Sequence, residues 1–566
     1  MAGLDGSIGL SGLLAAQRGM DVVGHNIANA STPGYTRQSV ELTSALPLDH
    51  STGGQLGTGV RVSMVRQVAD LFLDGRVRVA DATNGYDTAL SQRLGEVEAI
   101  VGDTSDSGLS GLMSAFFSAA DALGVTPDDP STRVTFLSSV ERLAEGFRST
   151  GSFLEASRVG ITREVEGMLE EVNQLAQQVA ELNLAILNVE GSGQQANDLR
   201  DQRGVAARRL SRLVGAEATQ QSDGGLKLTI GGRILVTGTR ARPLEAKRDA
   251  DGNSQVFFEG VATPLSLDSG EVGGLLAAQR QTGRMFAQVD QLAQSVIQEA
   301  NRVHATGVPG SGSYTSLTST LNAQDVNLSG SPGDDPINGA GLGSFAGPTT
   351  IAVSVTDPAG VVSTTPIALD PNVDSLDDFA SALSAIPGLS ASVTSGGQLT
   401  INAAAGFSFD FADRAGGDND PGGVLAQLGV APLVAGRGAL DMALADGVTP
   451  QRLAAGLGPG ASDGRNALRF SGIGRGSLSA LDGEDPQGFL AVVVSEAGHE
   501  AKVASDRSVA SERVLDALET HREGVSGVSM EEEVANMIRF QRGFEAASRY
   551  LSVLNGLSDE LMRMLG

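Results

Sequence analysis

The chain of 566 residues has no cysteine and no tryptophan, only four tyrosines, and three lysines (Lys227, Lys247, Lys502). Without cysteine there is no disulfide framework and no thiolate-ligated metal or redox centre. The five histidines (His25, His50, His304, His499, His521) are too scattered to form a shared ligand face, and no glycine-rich loop ends in Lys-Ser/Thr to hold phosphate. No stretch of eighteen mostly apolar residues occurs, and the long uncharged run Pro336 to Thr356 is rich in Gly, Ser and Thr, so membrane insertion is not expected. The first thirty residues lack a basic start and an unbroken apolar block, with Asp5, Arg18 and Asp21 interrupting, so no cleaved export signal is expected. Basic residues are also scarce. Forty Lys and Arg stand against 67 Asp and Glu, and the net charge of -27 repels nucleic-acid backbones.

What is abundant is glycine, 74 residues, where an average chain of this length has roughly 7%. Hydrophobic residues make up 41%, enough for packed cores, and the length suits three or four domains. Near the start, Leu13, Ala16, Met20, Val23, Ile27 and Ala30 recur at spacings of three and four, the mark of an amphipathic helix that stops at Thr32-Pro33-Gly34. At the other end Met537, Phe540, Phe544, Ala547, Leu551, Leu554, Leu561 and Leu565 repeat the spacing, with one polar interruption at Ser558. From about Ala69 to Gly102, Ser131 to Gly191 and Gln195 to Gly215 the pattern is helical and charged, and Glu271 to Ala305 is helical again. Leu226 to Leu265 alternates in short strand-like pieces around Asp251-Gly252. Thr306 to about Ala480 reads as an insert with two hairpins, flanking a helix from Leu376 to Ile386 in which Ser375 and Asp378 are spaced as a capping box.

Residues 1 to 66 hold four acids and four bases, residues 528 to 566 six acids and four bases, so almost all the negative charge belongs to the interior of the sequence. Near-neutral ends pack densely, whereas an acidic middle favours solvation. A lone seam helix is marginal in water, so the two ends are expected to pair with each other and then with neighbouring subunits, the alternative being a long helical hairpin within one monomer. Catalytic patterns are weak. Gly460-Ala461-Ser462-Asp463-Gly464 has the spacing of a nucleophile elbow, but it lies in a turn-rich loop. Asp249, Asp251, Gly252 and Asn253 read as a hairpin turn rather than a calcium loop, and Asp413, Asp418 and Asp420 lie among glycines as at most a weak cation site. Arg200, Arg203, Arg208, Arg209 and Arg212, interleaved with Asp198 and Asp201, read as a solvated, salt-bridged helix face.

One string is specific. His25-Asn26-Ile27-Ala28-Asn29-Ala30-Ser31-Thr32-Pro33-Gly34-Tyr35-Thr36-Arg37-Gln38 resembles the N-terminal signature of flagellar rod, hook and hook-associated proteins, and its Tyr35, Arg37 and Gln38 resemble the hook-associated protein 1 branch. Asn26, Asn29, Pro33 and Gly34 complete the motif. The same branch is similar at Gly57-Thr58-Gly59-Val60-Arg61-Val62, at Asn197-Asp198-Leu199-Arg200-Asp201-Gln202-Arg203, at Gly273-Gly274-Leu275-Leu276, at Asn301-Arg302-Val303-His304, and from Val525 through Glu533 to Phe540-Gln541-Arg542. Val534 departs from the pattern, standing where the branch often has an aromatic residue. The insert is not matched.

The resemblance implies a multidomain α+β fold: terminal helices paired as a coiled-coil-like core, a long-helix bundle body and β-rich inserted outer domains. The expected segments are 1–66 and 528–566 for the inner core, 67–215, 271–305 and 481–527 for the helical rods, 216–270 for a small β-rich part and 306–480 for the outer insert. It implies no enzyme and no cofactor, but a structural subunit of the hook-filament junction that self-associates into a ring. Expected partners are the hook protein, a second junction protein, an export chaperone and the type III export apparatus, with no nucleic acid. Leu13, Met20, Val23 and Ile27 are expected to pack against Phe540, Phe544, Leu551 and Leu554, with Met537, Leu561 and Leu565 as further subunit or core packing residues. Another axial subunit, such as hook protein or the second junction protein, is the nearest alternative; a secreted enzyme or carbohydrate-binding module in the insert is a remoter one.

Overall fold

Long amphipathic runs become long helices whose ends are set by short polar signals. In the computed structural model, which describes residues 2–50, 54–342, 347–458, 460 and 462–565, α1 spans Ala2–Asn29 and ends at the Pro33-Gly34 breaker. α2 (Leu71–Val101) starts where Asp70 accepts the backbone N–H groups of Phe72 and Leu73 at 2.9 and 3.1 Å. α3 (Leu109–Val125) is a short apolar helix that the charged, periodic reading passed over. α4 (Pro130–Glu190) has proline at its first position, where the missing N–H costs nothing, and α5 (Asn197–Val214) ends on left-handed Gly215. α6 (Gly270–Ala305), α7 (Leu376–Ser384), α8 (Val424–Gln427), α9 (Arg465–Ile473), α10 (Pro486–Ser526) and α11 (Met530–Leu565) follow. The capping box at Ser375 and Asp378 is formed in both directions.

The fold is mixed, with helical termini and several small antiparallel sheets, in two compact units. Met1–Arg93, Val159–Arg280 and Lys502–Gly566 form the first, Leu94–Arg158 and Gln281–Ala501 the second. In the first unit β1 (Gln38–Ser44), β2 (Leu48–His50), β3 (Gly54–Leu56) and β4 (Val60–Gln67) make two antiparallel pairs, β1 with β4 and β2 with β3. A four-stranded sheet of β5 (Glu217–Gln220), β6 (Leu226–Ile230), β7 (Arg233–Thr237) and β8 (Arg240–Ala241), and a hairpin of β9 (Leu244–Arg248) and β10 (Ser254–Phe258), bury their apolar faces with α4, α5 and α6. Two asparagines of α4 pin these strands: Asn183 donates to the carbonyls of Leu226 and Gly238 while accepting from Leu226 N–H, and Asn173 pairs with both backbone groups of Leu244. Asp249 accepts from Asp251 and Asn253 and so closes the β9–β10 turn.

The second unit has a phenylalanine-rich helical core, with Phe116, Phe136, Phe147 and Phe470 almost fully buried. Beside it β11 (Ser316–Thr318), β12 (Thr349–Thr356), β13 (Val362–Leu369), β14 (Leu389–Val393), β15 (Leu399–Ala403) and β16 (Ser408–Asp410) form two three-stranded sheets, ordered β11-β15-β14 and β13-β12-β16, over α7. The end of α6 fixes nearby loops. Asn301 accepts from the N–H groups of Leu433 and Val434 and donates to Val434 C=O. His304 is 2.7 Å from Ala431 C=O through Nδ1 and accepts from Ala454 N–H through Nε2 at 3.2 Å.

Burial holds His304 in its neutral form and pushes its pKa down to about 4. Below the ordinary value of about 6.5 the unfolded chain takes up a proton that the folded chain refuses. The stability this histidine contributes is complete above pH 6.5 and is lost as pH falls towards 4, with roughly 2 kcal/mol gone by pH 5. Asp201 and Asp420, pushed up to about 6 by burial, act in the opposite sense over this range. The loss is therefore read as a difference in thermal unfolding: between pH 7.5 and 5 the intact chain is expected to lose about 2 kcal/mol relative to His304→Gln, which keeps a donor and an acceptor without titrating. An unchanged pH slope in the variant would refute this account.

Candidate functional site

Three segments far apart in the chain meet at the C-terminal end of α1. Thr32 to Tyr35 forms a tight turn, closed by Tyr35 N–H donating to Thr32 C=O at 3.1 Å, with Pro33 at its second position and Gly34 at φ +79 in its third. A side chain on Gly34 would also strike Val205 of α5, whose Cγ2 is 2.2 Å from the position of the missing Cβ. The turn therefore reverses the chain against α5 and delivers residues 35–38 back beside α1.

Asn26 receives them. It is 1% exposed, and its amide makes four hydrogen bonds. Nδ2 donates to Gln38 C=O at 2.9 Å and to Glu533 at 3.0 Å; Oδ1 accepts from Gln38 N–H at 3.0 Å and from Tyr35 Oη at 2.7 Å. Every donor and lone pair of the group is used. The Glu533 carboxylate, also 1% exposed, is neutralised by Arg37, whose Nε donates at 2.9 Å while Nη1 reaches Glu532 at 2.6 Å. A buried carboxylate is tolerated only when paired in this way. The backbone follows the same route: Arg37 N–H donates to Ser526 C=O at 3.0 Å, at the α10–α11 junction.

The first turn of α5 supplies the third limb. Asp201 accepts from Thr36 N–H at 3.1 Å and from Gln67 Nε2 at 2.7 Å, and Asp198 accepts from Gln38 Nε2 at 3.0 Å. Asn197 donates to Gln38 Oε1 and to Val65 C=O. Burial pushes Asp201 up to about 6, against the lowering effect of the Thr36 hydrogen bond. Burial and then the charges of Asp198, Asp201 and Glu533 raise the Tyr35 phenol above its ordinary value, which keeps it a donor to Asn26. Asn29 Nδ2 donates to His25 C=O at 3.0 Å and its Oδ1 accepts from Thr32, closing the helix end. Asn26, Asn29, Pro33, Gly34, Tyr35, Arg37 and Gln38 thus belong to one knot, together with Asp198, Asp201 and Glu533.

From the knot, α1 and α11 run antiparallel along glycines. The Phe540 ring lies over Gly19, where a Cβ would be 2.4 to 2.6 Å from its carbons, and Leu551 and Tyr550 lie over Gly9 at 2.8 Å. Gly12 faces Ala547 and Gly543 faces Ala16, each pair in contact at 3.7 Å. The closest approach of the helices is set by residues with no side chain, which a search for large apolar residues passes over. Val23 is buried; Leu13, Met20 and Ile27 are half-buried beside this seam, as are Met537, Phe540, Phe544, Leu551 and Leu554. Leu561 is exposed, and the side chain of Leu565 lies outside the described residues. A second apolar row stays uncovered: Tyr550, Val553, Leu557, Leu561 and Met564 on α11 are 42% to 80% exposed, and Leu10 and Leu14 on α1 at least 50%.

The arginines of α5 are salt-bridged, as expected of them, but partly buried rather than solvated. Arg208 pairs with Asp81 at 2.7 Å and with Glu519; Arg212 with Asp81 at 3.0 Å and Glu271 at 2.7 Å; Arg209 with Glu171 at 2.7 Å; and Arg200 with Glu190 at 2.8 Å. Arg203 is 3% exposed and donates to Asn183 and Gly224 C=O. Their partners come from α2, α4, α6 and α10, so α5 is the clamp of the helical body. In the second unit Asp418 pairs with Arg302 and Arg469, and Asp420 accepts the N–H groups of Val424 and Leu425. Asp413 closes a turn by accepting from Ala415 and Gly417. Ser462 is exposed in a loop whose Pro459 and Ala461 lie outside the described residues.

Residues 94–316 match the family described as Flagellar hook-associated protein FlgK helical domain, residues 7–36 the Flagella basal body rod protein family and residues 524–564 the Flagellar basal body rod FlgEFG protein C-terminal family. Each matched segment contributes a limb to the knot. Flagellar hook-associated protein 1 of Escherichia coli (strain K12) is 25% identical over 98% of each chain, and its namesake in Salmonella typhimurium is 26% identical over 98% of each. A solved structure described as the flagellar hook junction protein FlgK from Burkholderia pseudomallei superposes with a TM-score of 0.50 at 17% identity, over 80% of this chain and 100% of that one, a likeness of fold.

Replacing Asn26 with Ala strands the Gln38 N–H and C=O and removes one partner of buried Glu533. The expected cost is about 3 kcal/mol locally, on the order of a hundredfold loss of hydrogen-exchange protection at the Gln38 amide. Arg37→Lys, which gives up the fork across two carboxylates, is expected to lower the same protection by on the order of tenfold. Unaltered protection in Asn26→Ala would show that the amide does not hold the segment.

Proposed function

Because the chain belongs to the flagellar hook-associated protein 1 family, we propose that it is a structural subunit of the bacterial flagellum, forming the junction that connects hook to filament and permits filament assembly. The observation that carries this is the extent of the likeness: it runs through 98% of this chain and 98% of relatives bearing that name, with no large part of either left over. The polar knot and the helix pair supply the physical means. A junction must transmit force through its subunits, and the knot ties both chain ends to the clamp helix α5 by buried, mutually satisfied hydrogen bonds.

In this reading α1 and α11 form a coiled-coil-like inner core, and copies associate in a ring through the row Tyr550, Val553, Leu557, Leu561 and Met564. Exposed apolar rows of this length on a helix pair are covered in assemblies. The helical parts form the rods, and the sheets of residues 306–480 form the outer domain. Hook protein lies on one side of the ring and the second junction protein on the other. The chain reaches this extracellular place unfolded, guided by an export chaperone through the type III export apparatus. It is given no catalytic role. No helix among the described residues is long and apolar enough to cross a membrane.

Electron microscopy of a strain deleted for the chain is expected to show intact hooks without filaments. Complementation with Leu551→Asp, which sets a carboxylate over Gly9 in the α1–α11 seam, is expected to leave the helical body folded by circular dichroism and filament number near that of the deletion. Normal filaments from the deletion strain would sink the functional reading; normal filaments from the variant would sink the role given to the seam.

A further inference from the structure

α2 and α10 leave a groove between them in the first unit. It encloses about 900 Å³, and its apolar wall is unusually open to solvent: Leu71 is 67% exposed, Phe72 75%, Val79 63% and Val514 54%. Isolated exposed apolar residues need no explanation, but four lining one groove mark a surface that something covers. Three cations stand along it, Arg76, Arg78 and Arg507, against two carboxylates, Asp87 and Glu217. In a chain of net charge -27 the groove is locally positive. Arg78 has no ion pair or side-chain hydrogen bond among the described residues, because the nearby Asp74 carboxylate is taken by Arg522 at 2.9 Å. Burial lowers the pKa of Arg78, with Asp74 opposing. Its guanidinium is therefore partly dehydrated with only the shared charge of Asp74 nearby and no direct ion pair, a state that a carboxylate brought from outside would relieve.

The same chain presents a complementary surface. On α11, Glu531, Val534, Ile538, Gln541 and Glu545 recur at spacings of three and four, all exposed, on the side away from the seam of Met537, Phe540 and Phe544. Two apolar anchors, 48% and 45% exposed, are thus bracketed by two carboxylates. The row is about 21 Å long, and the α2 flank of the groove from Leu71 to Thr83 about 18 Å. Helices laid in grooves bind through anchors of this spacing.

We infer that the groove between α2 and α10 receives the first turns of α11 from a second copy of this chain, with Val534 against Val79, Ile538 against Phe72 and Glu531 on Arg78. The inference rests on the ring proposed above and gives it a polarity. Groove and row are different patches, so the contact is heterologous: each copy receives one neighbour and inserts into the next, the arrangement that generates closed rings or helical stacks. The row Tyr550 to Met564, which the ring proposed above already uses, lies further along α11 than the inserted turns, so both contacts can be made by one copy.

The cysteine-free sequence makes the test direct. A deletion strain is made to express two full-length copies, one carrying Val79→Cys and the other Val534→Cys, and isolated hook-filament structures are oxidised. A disulfide-linked dimer of the two variants, absent when either is expressed alone, is the expected result. Filaments without that dimer would overturn the groove assignment and leave the junction role standing, whereas filaments in the uncomplemented strain would overturn the role itself. Should the cysteine variants fail to assemble, charge reversal decides: Arg78→Glu and Glu531→Arg are each expected to reduce filament number at least tenfold, and the two together to restore it. Full filament number with Arg78→Glu alone, or no recovery in the pair, would also overturn the assignment.

Discussion

The structure of the first unit depends on one buried amide. Asn26 offers two donors and two acceptor sites, and the chain spends them on the backbone of Gln38, the phenol of Tyr35 and the carboxylate of Glu533. A buried amide is costly unless every site is used, so its neighbours are held in place as firmly as it is. From this follow the turn at Pro33-Gly34, the return of the chain along α1, the pairing of Arg37 with Glu532 and Glu533, and the angle at which α11 leaves α10. An aliphatic side chain of similar size would fill the space and fix none of these directions.

Charge is organised on the same principle. The acidic excess that marks the sequence is not only a solvated coat, because the acids that matter most sit opposite arginines of α5. Asp81 is shared by Arg208 and Arg212, and Glu271 by Arg209 and Arg212. Sharing lets one ordered side chain serve two partners, so less conformational entropy is lost per ion pair than at isolated surface bridges, which contribute about 0 to 1 kcal/mol. α5 binds the long helices to one another, and the knot hangs from its first turn.

The helices were legible because their apolar residues repeat at three and four and their ends carry Pro, Gly, Asp or Ser; the hairpins 349–369 and 389–403 because short apolar runs flank turn formers. β1 and β4 escaped notice because most of their residues are partly exposed and no strict alternation marks a buried face. α3 was missed because its run of small and apolar residues lacks a charged face to set its period. The motif at residues 25–38 was visible as a string, and so were those at 197–203 and 525–533. That they converge was not, since nothing in local spacing says that Asn26 meets Glu533 or that Gln38 meets Asp198. The glycine seam was invisible for the opposite reason: periodicity weighs side chains, and here the contact is made where there are none.

The hydrogen bond from Asn26 to Glu533 spans 507 positions of sequence. Contacts of such long range form late, because the entropy of closing so large a loop is lost before anything is gained. A polypeptide that emerges amino end first therefore presents Asn26 long before its acceptor, and the knot stays open until the first turn of α11 has arrived. The bond reports arrival: it distinguishes a chain that has reached α11 from one that stops short of it, and only the former can seat α11 against α1.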